Sequence, residues 1–303
     1  MMYFKLSKSL KVEQVLVVSL SNIGDVVLTF PVLDVVHARF PSAEVHVVVG
    51  PKAAALLSRI PWIKVIVYNK KMSAAAKWNW FLALRSHRFD LVVDLRNSML
   101  PLLLNAAVVT GPLLHVPKVH MQQKHLARLK SVVGETLQEV PRACFAPEGV
   151  FDTDRLVAGT RGYVVVAPGA ADLRKRWGED RFLQVIQHLR RRGRDVVLLG
   201  DKQDALVSSR LVAAVGDGVI DLCGKTGLDE LMPVIDRAVL AITNDSGIMH
   251  LASYANKPTV ALFGPTDPFF YGPWSSASVA IRRGTVMESI PVKDVLNEVD
   301  KFL

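Results

Sequence analysis

Val15-Leu-Val-Val-Ser-Leu-Ser-Asn-Ile-Gly-Asp25 carries the reading of the fold. Its first five residues form a near-continuous apolar run, long enough for a strand and too short for a helix. Such runs belong to parallel sheets covered on both faces, because a half-exposed strand would alternate apolar and polar. A glycine-containing turn follows, then a helical pattern over 26–40, then a second strand at 45–49. Further strands are expected at 65–68 and 91–94. The pattern weakens between Leu113 and Thr160, where prolines, mixed charges and glycines accumulate. It restarts at Tyr163-Val-Val-Val-Ala167 with a helix over 180–192, stopped by Gly193, and strands at 195–199, 219–222, 240–243 and 259–263. Leu231, Ile235 and Ala238 mark one face of another helix. Alternation of this kind predicts an α/β chain of two doubly wound, Rossmann-like domains, 1–155 and 156–303. Ligands of such sheets bind outside the carboxyl ends of the strands, here in a cleft between the two domains.

The bulk composition agrees. A chain of 303 residues suits two domains, and half of its residues are hydrophobic, which excludes a disordered chain. Cys144 and Cys223 are the only cysteines, so no disulfide framework or cysteine-based metal site can form, and a reducing compartment is expected. The net charge of +9 favours anionic partners: phosphates, nucleic acid or an anionic membrane face. Plain solubility is the alternative. The richest apolar stretch, 101–116, is broken by Asn105, Thr110 and Gly111 and is too short to span a bilayer. No apolar signal segment precedes the first strand, so the expected location is the cytoplasm.

Four loops carry candidate chemistry. In Ser19-Leu-Ser-Asn-Ile-Gly-Asp25, Asp25 opens a helix. It is either a dipole-complementing cap or a carboxylate able to take a proton from an attacking hydroxyl. The loop has one glycine where a dinucleotide fingerprint needs three, and no phosphate-binding Walker motif occurs anywhere. In Ala167-Pro-Gly-Ala-Ala-Asp-Leu-Arg-Lys-Arg-Trp177, the cations Arg174, Lys175 and Arg176 suit phosphate, or are a solvated basic turn. In Ala241-Ile-Thr-Asn-Asp-Ser-Gly-Ile-Met-His250, a helix starts at Ser246-Gly247. Its free N–H groups offer an anion site, with Asp245 able to hold sugar hydroxyls and His250 one turn on. Capping by Asp245 or Ser246 is the plain alternative. Phe263-Gly-Pro-Thr-Asp-Pro268 is a rigid loop at a strand's carboxyl end. Two patterns are weaker. Asp152-Thr-Asp154 has a metal-binding spacing but no strand delivering it to a cleft. His115, His120 and His125 recur at fives, which does not share one helix face, so they read as surface or acceptor-side histidines.

Together and in this order the motifs resemble the lipopolysaccharide heptosyltransferases, glycosyltransferase family 9. The likeness is densest in Gly224-Lys-Thr-Gly-Leu-Asp-Glu-Leu231, Asn244-Asp-Ser-Gly247 and Phe263-Gly-Pro-Thr-Asp-Pro268, with Ser-Asn-Ile-Gly-Asp25 and Lys175-Arg-Trp177 matching further elements. The resemblance implies a GT-B fold, with acceptor on the N-terminal half and nucleotide-sugar on the C-terminal half. It implies an inverting transfer without a metal or other cofactor, of heptose from ADP-heptose onto a lipopolysaccharide core. Asp25 falls on the family's general base and Lys175 on its phosphate-binding lysine. Arg174, Asp245, Ser246, Gly247 and His250 fall to the donor site, and Asp204 near a ribose-binding acid. Ser21, Asn22 and Gly24, with Arg96, Asn97 and Ser98 of Asp94-Leu-Arg-Asn-Ser98, would face the acceptor. The implied partner is an anionic lipid-linked glycan, met by a monomer at the cytoplasmic face of the inner membrane. Two departures bear on the donor: Ala170 and Ala171 stand where the family has hydroxyl residues, and Val286-Met-Glu-Ser289 lacks a cysteine common in relatives. Rival readings are a nucleotide-sugar 2-epimerase on the same fold, a nucleotide-sugar-binding protein without catalysis, and, on charge alone, a nucleic-acid-binding protein.

Overall fold

The first apolar run forms β1 (Gln14–Val18), with Val15 to Val18 sealed from solvent. Each such side chain stabilises the fold by roughly 1.5–3 kcal/mol relative to exposure. The computed structural model describes residues 5–7, 10–111, 118–134, 141–144, 153–160 and 162–303. After β1 come α1 (Ile23–Val27), α2 (Phe30–Arg39), β2 (Glu44–Val49), α3 (Ala54–Leu57), β3 (Ile63–Val67) and α4 (Ala74–Ser86). They are followed by β4 (Phe89–Asp94), α5 (Leu100–Leu103), β5 (Ala106–Val109) and α6 (Met121–Val133). The strands form one parallel sheet in the order β3-β2-β1-β4-β5. The chain winds one way from β1 and returns to its other side at β4, so β1 and β4 flank a topological switch point.

The second half repeats the plan. It contains α7 (Thr153–Leu156), β6 (Val164–Ala167), α8 (Glu179–Arg191), β7 (Val196–Leu198), α9 (Ala205–Val215) and β8 (Val219–Asp221). Then come α10 (Leu228–Arg237), β9 (Leu240–Asn244), α11 (Gly247–Tyr254), β10 (Thr259–Phe263), α12 (Pro268–Tyr271), β11 (Ser278–Arg282) and α13 (Val292–Val299). Its parallel sheet runs β11-β10-β9-β6-β7-β8, with the switch point between β6 and β9. Trp177 anchors the core of this half, edge-on to Phe182 with ring centroids 5.2 Å apart.

The chain divides into two compact units, Met1–Pro147 and Glu148–Leu303. The sequence reading put the boundary at 155/156. Physical attachments explain the earlier division. Buried Asp34 accepts from the Ala143 and Cys144 amides at 2.9 and 3.1 Å, which ties that segment to the first unit. The short helix α7 packs on α10 of the second.

Other expectations need correction. The single helix over 26–40 is two helices. Pro31 has no N–H and its ring conflicts with the carbonyl four residues back, while Thr29 Oγ1 donates to the Val26 carbonyl at 2.7 Å. A 13-residue helix, α6, occupies the stretch where the pattern weakens. Its buried positions His125, Arg128, Leu129, Val132 and Val133 have helical spacing, but two of them are polar and conceal the apolar stripe. His125 is therefore a core residue, not a surface or acceptor-side one. His120 caps the same helix, its Nδ1 accepting from the Gln122 amide at 3.3 Å. His115, Asp152 and the Asp154 side chain lie outside the described residues. Among the described residues no helix is long and apolar enough to cross a membrane.

Candidate functional site

In the first unit, β1 and β4 pair in parallel with Val18 opposite Asp94, so the 19–25 and 94–98 loops leave the sheet side by side. Asp94 is fully buried and folds its own loop. Oδ1 accepts from the Arg96 amide at 2.9 Å, and Oδ2 accepts from the Ser98 amide at 2.6 Å and the Ser98 hydroxyl at 2.8 Å. That turn puts Asn97 at φ 59°, a left-handed conformation that asparagine tolerates better than most side chains. Arg96 then crosses to the neighbouring loop, donating from Nε to the Ser19 carbonyl at 2.6 Å and from Nη2 to Ser21 Oγ at 2.8 Å. Arg128 of α6 locks the far side, donating from Nε to the Asp94 carbonyl at 2.7 Å and from Nη1 to Asn97 Oδ1 at 2.6 Å. Burial in this network lowers the Arg128 pKa from its ordinary value. Sequence reasoning missed Arg128, whose only signal was its place on the hidden stripe of α6. Gly50, at the end of β2, lets the 19–25 loop pass close by; a Cβ there would lie 2.9 Å from Ser21.

Asp25 stands half-buried in the first turn of α1. Its Oδ2 accepts from Asn22 Nδ2 at 2.9 Å. The carboxylate thus sits at the positive end of a helix but makes no capping bond to a backbone N–H among the described residues. Asn22, Gly24 and Asp25 share one short turn, which the Arg96–Ser21 bond ties to the 94–98 loop.

In the second unit, β6 and β9 pair with Ala167 opposite Thr243, and their outgoing loops are stitched together by Asn244. This residue is fully buried. Its Oδ1 accepts from the Trp177 amide at 3.2 Å, and its Nδ2 donates to the Pro168 carbonyl at 2.7 Å. Both ends of the loop that carries Lys175 are therefore held by one side chain of β9. Trp177 adds a second hold, donating from Nε1 to the Ile290 carbonyl at 2.9 Å. So positioned, Lys175 Nζ donates to Asp245 Oδ2 at 2.7 Å, and Thr266 Oγ1 donates to the same oxygen at 2.5 Å. Three loops meet at that carboxylate: those after β6, β9 and β10.

The cations of the 174–176 run have separate tasks. Arg174 is exposed and makes a two-pronged pair with Asp172, which holds that carboxyl down to about 2. It does not reach the Asp245 cluster. Arg176 donates from Nε to the Ala170 carbonyl at 2.9 Å, and its Nη2 lies 3.0 Å from Asp204 Oδ1. Asp204 is buried at the start of α9, and burial pushes its carboxyl above the usual range. Gly169 is a glycine because a Cβ there would fall inside the Asp204 carboxylate. Asp204 thus neighbours the Lys175 loop through Arg176, on the side away from Asp245.

Helix α11 starts at Gly247 with Ser246 as its N-cap, and no side chain caps it. Asp245 is committed to Lys175 and Thr266, and Ser246 Oγ is buried with no partner among the described residues. The capping alternative for these two residues is therefore not realised, and the first N–H groups of α11 lack a side-chain acceptor. His250, one turn on, is buried and stacks on Trp274 at 6.1 Å between ring centroids. Thr266 and Trp274 were given no role from sequence, although both lie in the proline-rich stretch, Phe263–Pro268 followed by Gly272-Pro-Trp274, that drew attention there. A depression of about 420 Å³ lined by Gly159, Tyr163 and Arg237 lies at the opposite, amino-terminal end of this sheet, away from these groups. Among the described residues no group of three or more His, Cys, Asp or Glu is placed to hold a metal ion.

Both sets of loops lie at switch points, and the second is an anion-suited helix start with a lysine against it. The family model of glycosyltransferase family 9 (heptosyltransferase) matches residues 115–296, which include all of the second set. The chain belongs to glycosyltransferase family 9. A curated relative, lipopolysaccharide heptosyltransferase 3 of Escherichia coli, is 30% identical over 92% of this chain and 96% of its own length. Among solved structures, E. coli heptosyltransferase WaaC with ADP aligns at a TM-score of 0.81 and 20% identity, over 96% of this chain and all of that one. A family 9 glycosyl transferase from Veillonella parvula DSM 2008 aligns at 0.81 and 23% identity, over 98% of this chain and 99% of that one. The family 9 enzyme therefore has the GT-B fold of two doubly wound α/β units, and it is a glycosyltransferase.

Proposed function

We propose that this family 9 enzyme moves a heptose from ADP-heptose onto a lipopolysaccharide core acceptor, with inversion and without a metal ion. The observation that carries the reading is the Lys175–Asp245–Thr266 cluster against the uncapped start of α11. The helix N–H groups and Lys175 suit a diphosphate, and Asp245 suits sugar hydroxyls. Heptose as the sugar is supported by the family, and ADP by its presence in the WaaC neighbour. In this reading the second unit binds donor through Lys175, Asp245, Ser246, Gly247 and His250, with Asp204 on the ribose. Arg174, already paired with Asp172, contributes long-range charge. With no hydroxyls at Ala170 and Ala171, the start of α11 holds more of the diphosphate than it would in relatives that have them.

The first unit binds acceptor around the 19–25 and 94–98 loops. An acceptor hydroxyl attacks the anomeric carbon, and the bond from that carbon to the β-phosphate oxygen breaks. Its electron pair leaves with ADP, and the proton goes to the Asp25 carboxylate. Charge developing on the diphosphate meets groups that are already in place, which is where the rate gain arises. The buried cysteines Cys144 and Cys223 form no disulfide, in keeping with the reducing cytoplasm where such a donor would be used.

The test is a thermal-shift panel with ADP, UDP, GDP and CMP. A nucleotide at 100 times its Kd stabilises by roughly 2.7 kcal/mol, so ADP should stand apart. A flat response to all four would sink the donor reading. Asp25→Asn should keep the ADP shift and lose about 10²–10⁴-fold in turnover. Near-normal turnover in a folded Asp25→Asn protein would remove Asp25 as the base.

A further inference from the structure

Residues 45–89 contain eight lysines and arginines and no aspartate or glutamate, in a chain whose whole net charge is +9. Charge of one sign is therefore concentrated in one stretch of the first unit, from β2 to the start of β4. Helix α4 lies in this stretch and divides its two tryptophans between two tasks. Trp80 turns inward, meets Tyr68 in a tilted ring contact with centroids 4.7 Å apart and donates from Nε1 to the Val67 carbonyl at 3.1 Å, which fastens the helix to the edge strand β3. Trp78 turns outward and is 60% exposed, and Leu82, one turn on, is 45% exposed. Arg85 lies three residues further and donates from Nη1 to the Leu103 carbonyl at 3.0 Å, which brings Leu103, itself 51% exposed, to the end of the same helix. At the other end, Lys70 and Lys71 are exposed in the turn leading into α4 and pair with no carboxylate among the described residues.

An outward tryptophan and two outward leucines, framed by cations that form no ion pair among the described residues and set in a stretch without acids, match one surface chemistry. Indole and leucine enter the headgroup boundary, and lysines and arginines meet anionic phosphates. We propose that the outer face of α4, with Trp78, Leu82 and Leu103 between Lys70, Lys71 and Arg85, docks this enzyme on an anionic lipid surface. The inference deepens the proposed function, because a lipid-linked acceptor is met at a membrane, but its test does not depend on transfer. None of these six side chains belongs to either candidate site.

The full chain is sedimented with vesicles of phosphatidylcholine alone and with vesicles containing phosphatidylglycerol. Binding is expected to the second only, and to fade as salt is raised. Trp78→Ala/Leu82→Ala should abolish most of it. Lys70→Glu/Lys71→Glu should weaken it by more than the roughly fivefold per lysine that simple charge loss gives. In every variant the ADP thermal shift should match the parent, which also shows that the variants fold. No sedimentation with anionic vesicles would overturn the proposal, as would equal sedimentation of parent and Trp78→Ala/Leu82→Ala. Loss of a concentration-dependent dimer in that double variant, without vesicle binding by the parent, would assign the face to self-association instead. An absent ADP shift alongside normal vesicle binding would count against the donor reading and leave the docking face standing.

Discussion

A fully buried amide bonded at both ends has more to lose on truncation than a charged side chain at the surface. Asn244→Ala would remove the acceptor of the Trp177 amide and the donor to the Pro168 carbonyl, and leave buried backbone groups unpaired. The expected cost is about 1–3 kcal/mol per orphaned group, together with weaker ADP binding because the Lys175 loop loses its clamp. Lys175→Ala should weaken ADP binding with a smaller loss of stability than Asn244→Ala, since buried Asp245 keeps the Thr266 bond and the lysine itself is partly solvated. Urea midpoints and ADP titrations of the two variants separate these outcomes; equal stability losses would mean that Asn244 has no special hold on the loop. At this scale the candidate site was legible in kind but not in connection. Asp245, Lys175 and Asp25 could be picked out because charge beside a glycine turn is informative locally. The Lys175–Asp245 pair spans 70 positions and the Thr266 bond 21, and nothing local encodes either. Arg96 shows the same limit: it reads as a ligand, yet in the fold it braces Ser19 and Ser21.

Elements were legible where one residue type repeated. Nine of the eleven described strands could be located within a residue or two, because a valine-rich run buried in a parallel sheet needs little else; β5 and β11, each at a sheet edge with fewer large apolar residues, were missed. Helix α6 was not, because His125 and Arg128 occupy its core stripe, and α4 was not, because Trp78 and Leu82 put apolar residues on its outer face. His125 has a thermodynamic consequence. Neither ring nitrogen has a partner among the described residues, and burial drops the ring to about 4 from its ordinary 6.5, with Lys124 and Arg128 adding to the effect. Between pH 6.5 and 4 the unfolded chain takes up a proton that the folded chain refuses, so stability falls as pH falls through this window. Above pH 6.5 the residue contributes no pH dependence, and below 4 the loss is complete. The full effect is about 3 kcal/mol as an order of magnitude. His125→Leu should retain parental stability or better at pH 7 and lose less than the parent on going to pH 4.5, read from urea midpoints. An unchanged difference between the two pH values would show that the ring protonates readily in the folded chain.

Across the whole molecule, each unit closes a hydrophobic core of its own. That of the second unit gathers Val164, Trp177, Phe182, Ile242, Leu262 and Val295 on one face of its sheet, and Met249, Ala261 and Phe263 pack together on the other. A fragment comprising 148–303 should therefore unfold in one cooperative transition and shift upward with ADP; a fragment with no thermal transition would mean that its core needs the first unit. The two-unit plan itself was legible, because the strand–turn–helix pattern starts twice, at Val15 and again at Tyr163. Its boundary was not, because the attachments that set it, Asp34 to the 143–144 segment and α7 to α10, are tertiary. Both sets of candidate loops leave carboxyl ends of strands. The turns at the other end, such as Gly216-Asp-Gly218 with its glycines at φ 83° and 77°, answer to backbone geometry and to packing, since a Cβ at Gly218 would fall on the Arg190 guanidinium. The two rims of each sheet therefore live under different rules. One rim carries the candidate loops, and their shared bonds mean that a change in one is felt by its neighbours. The other carries none of the candidate loops, and a change confined to it should alter stability before it alters transfer.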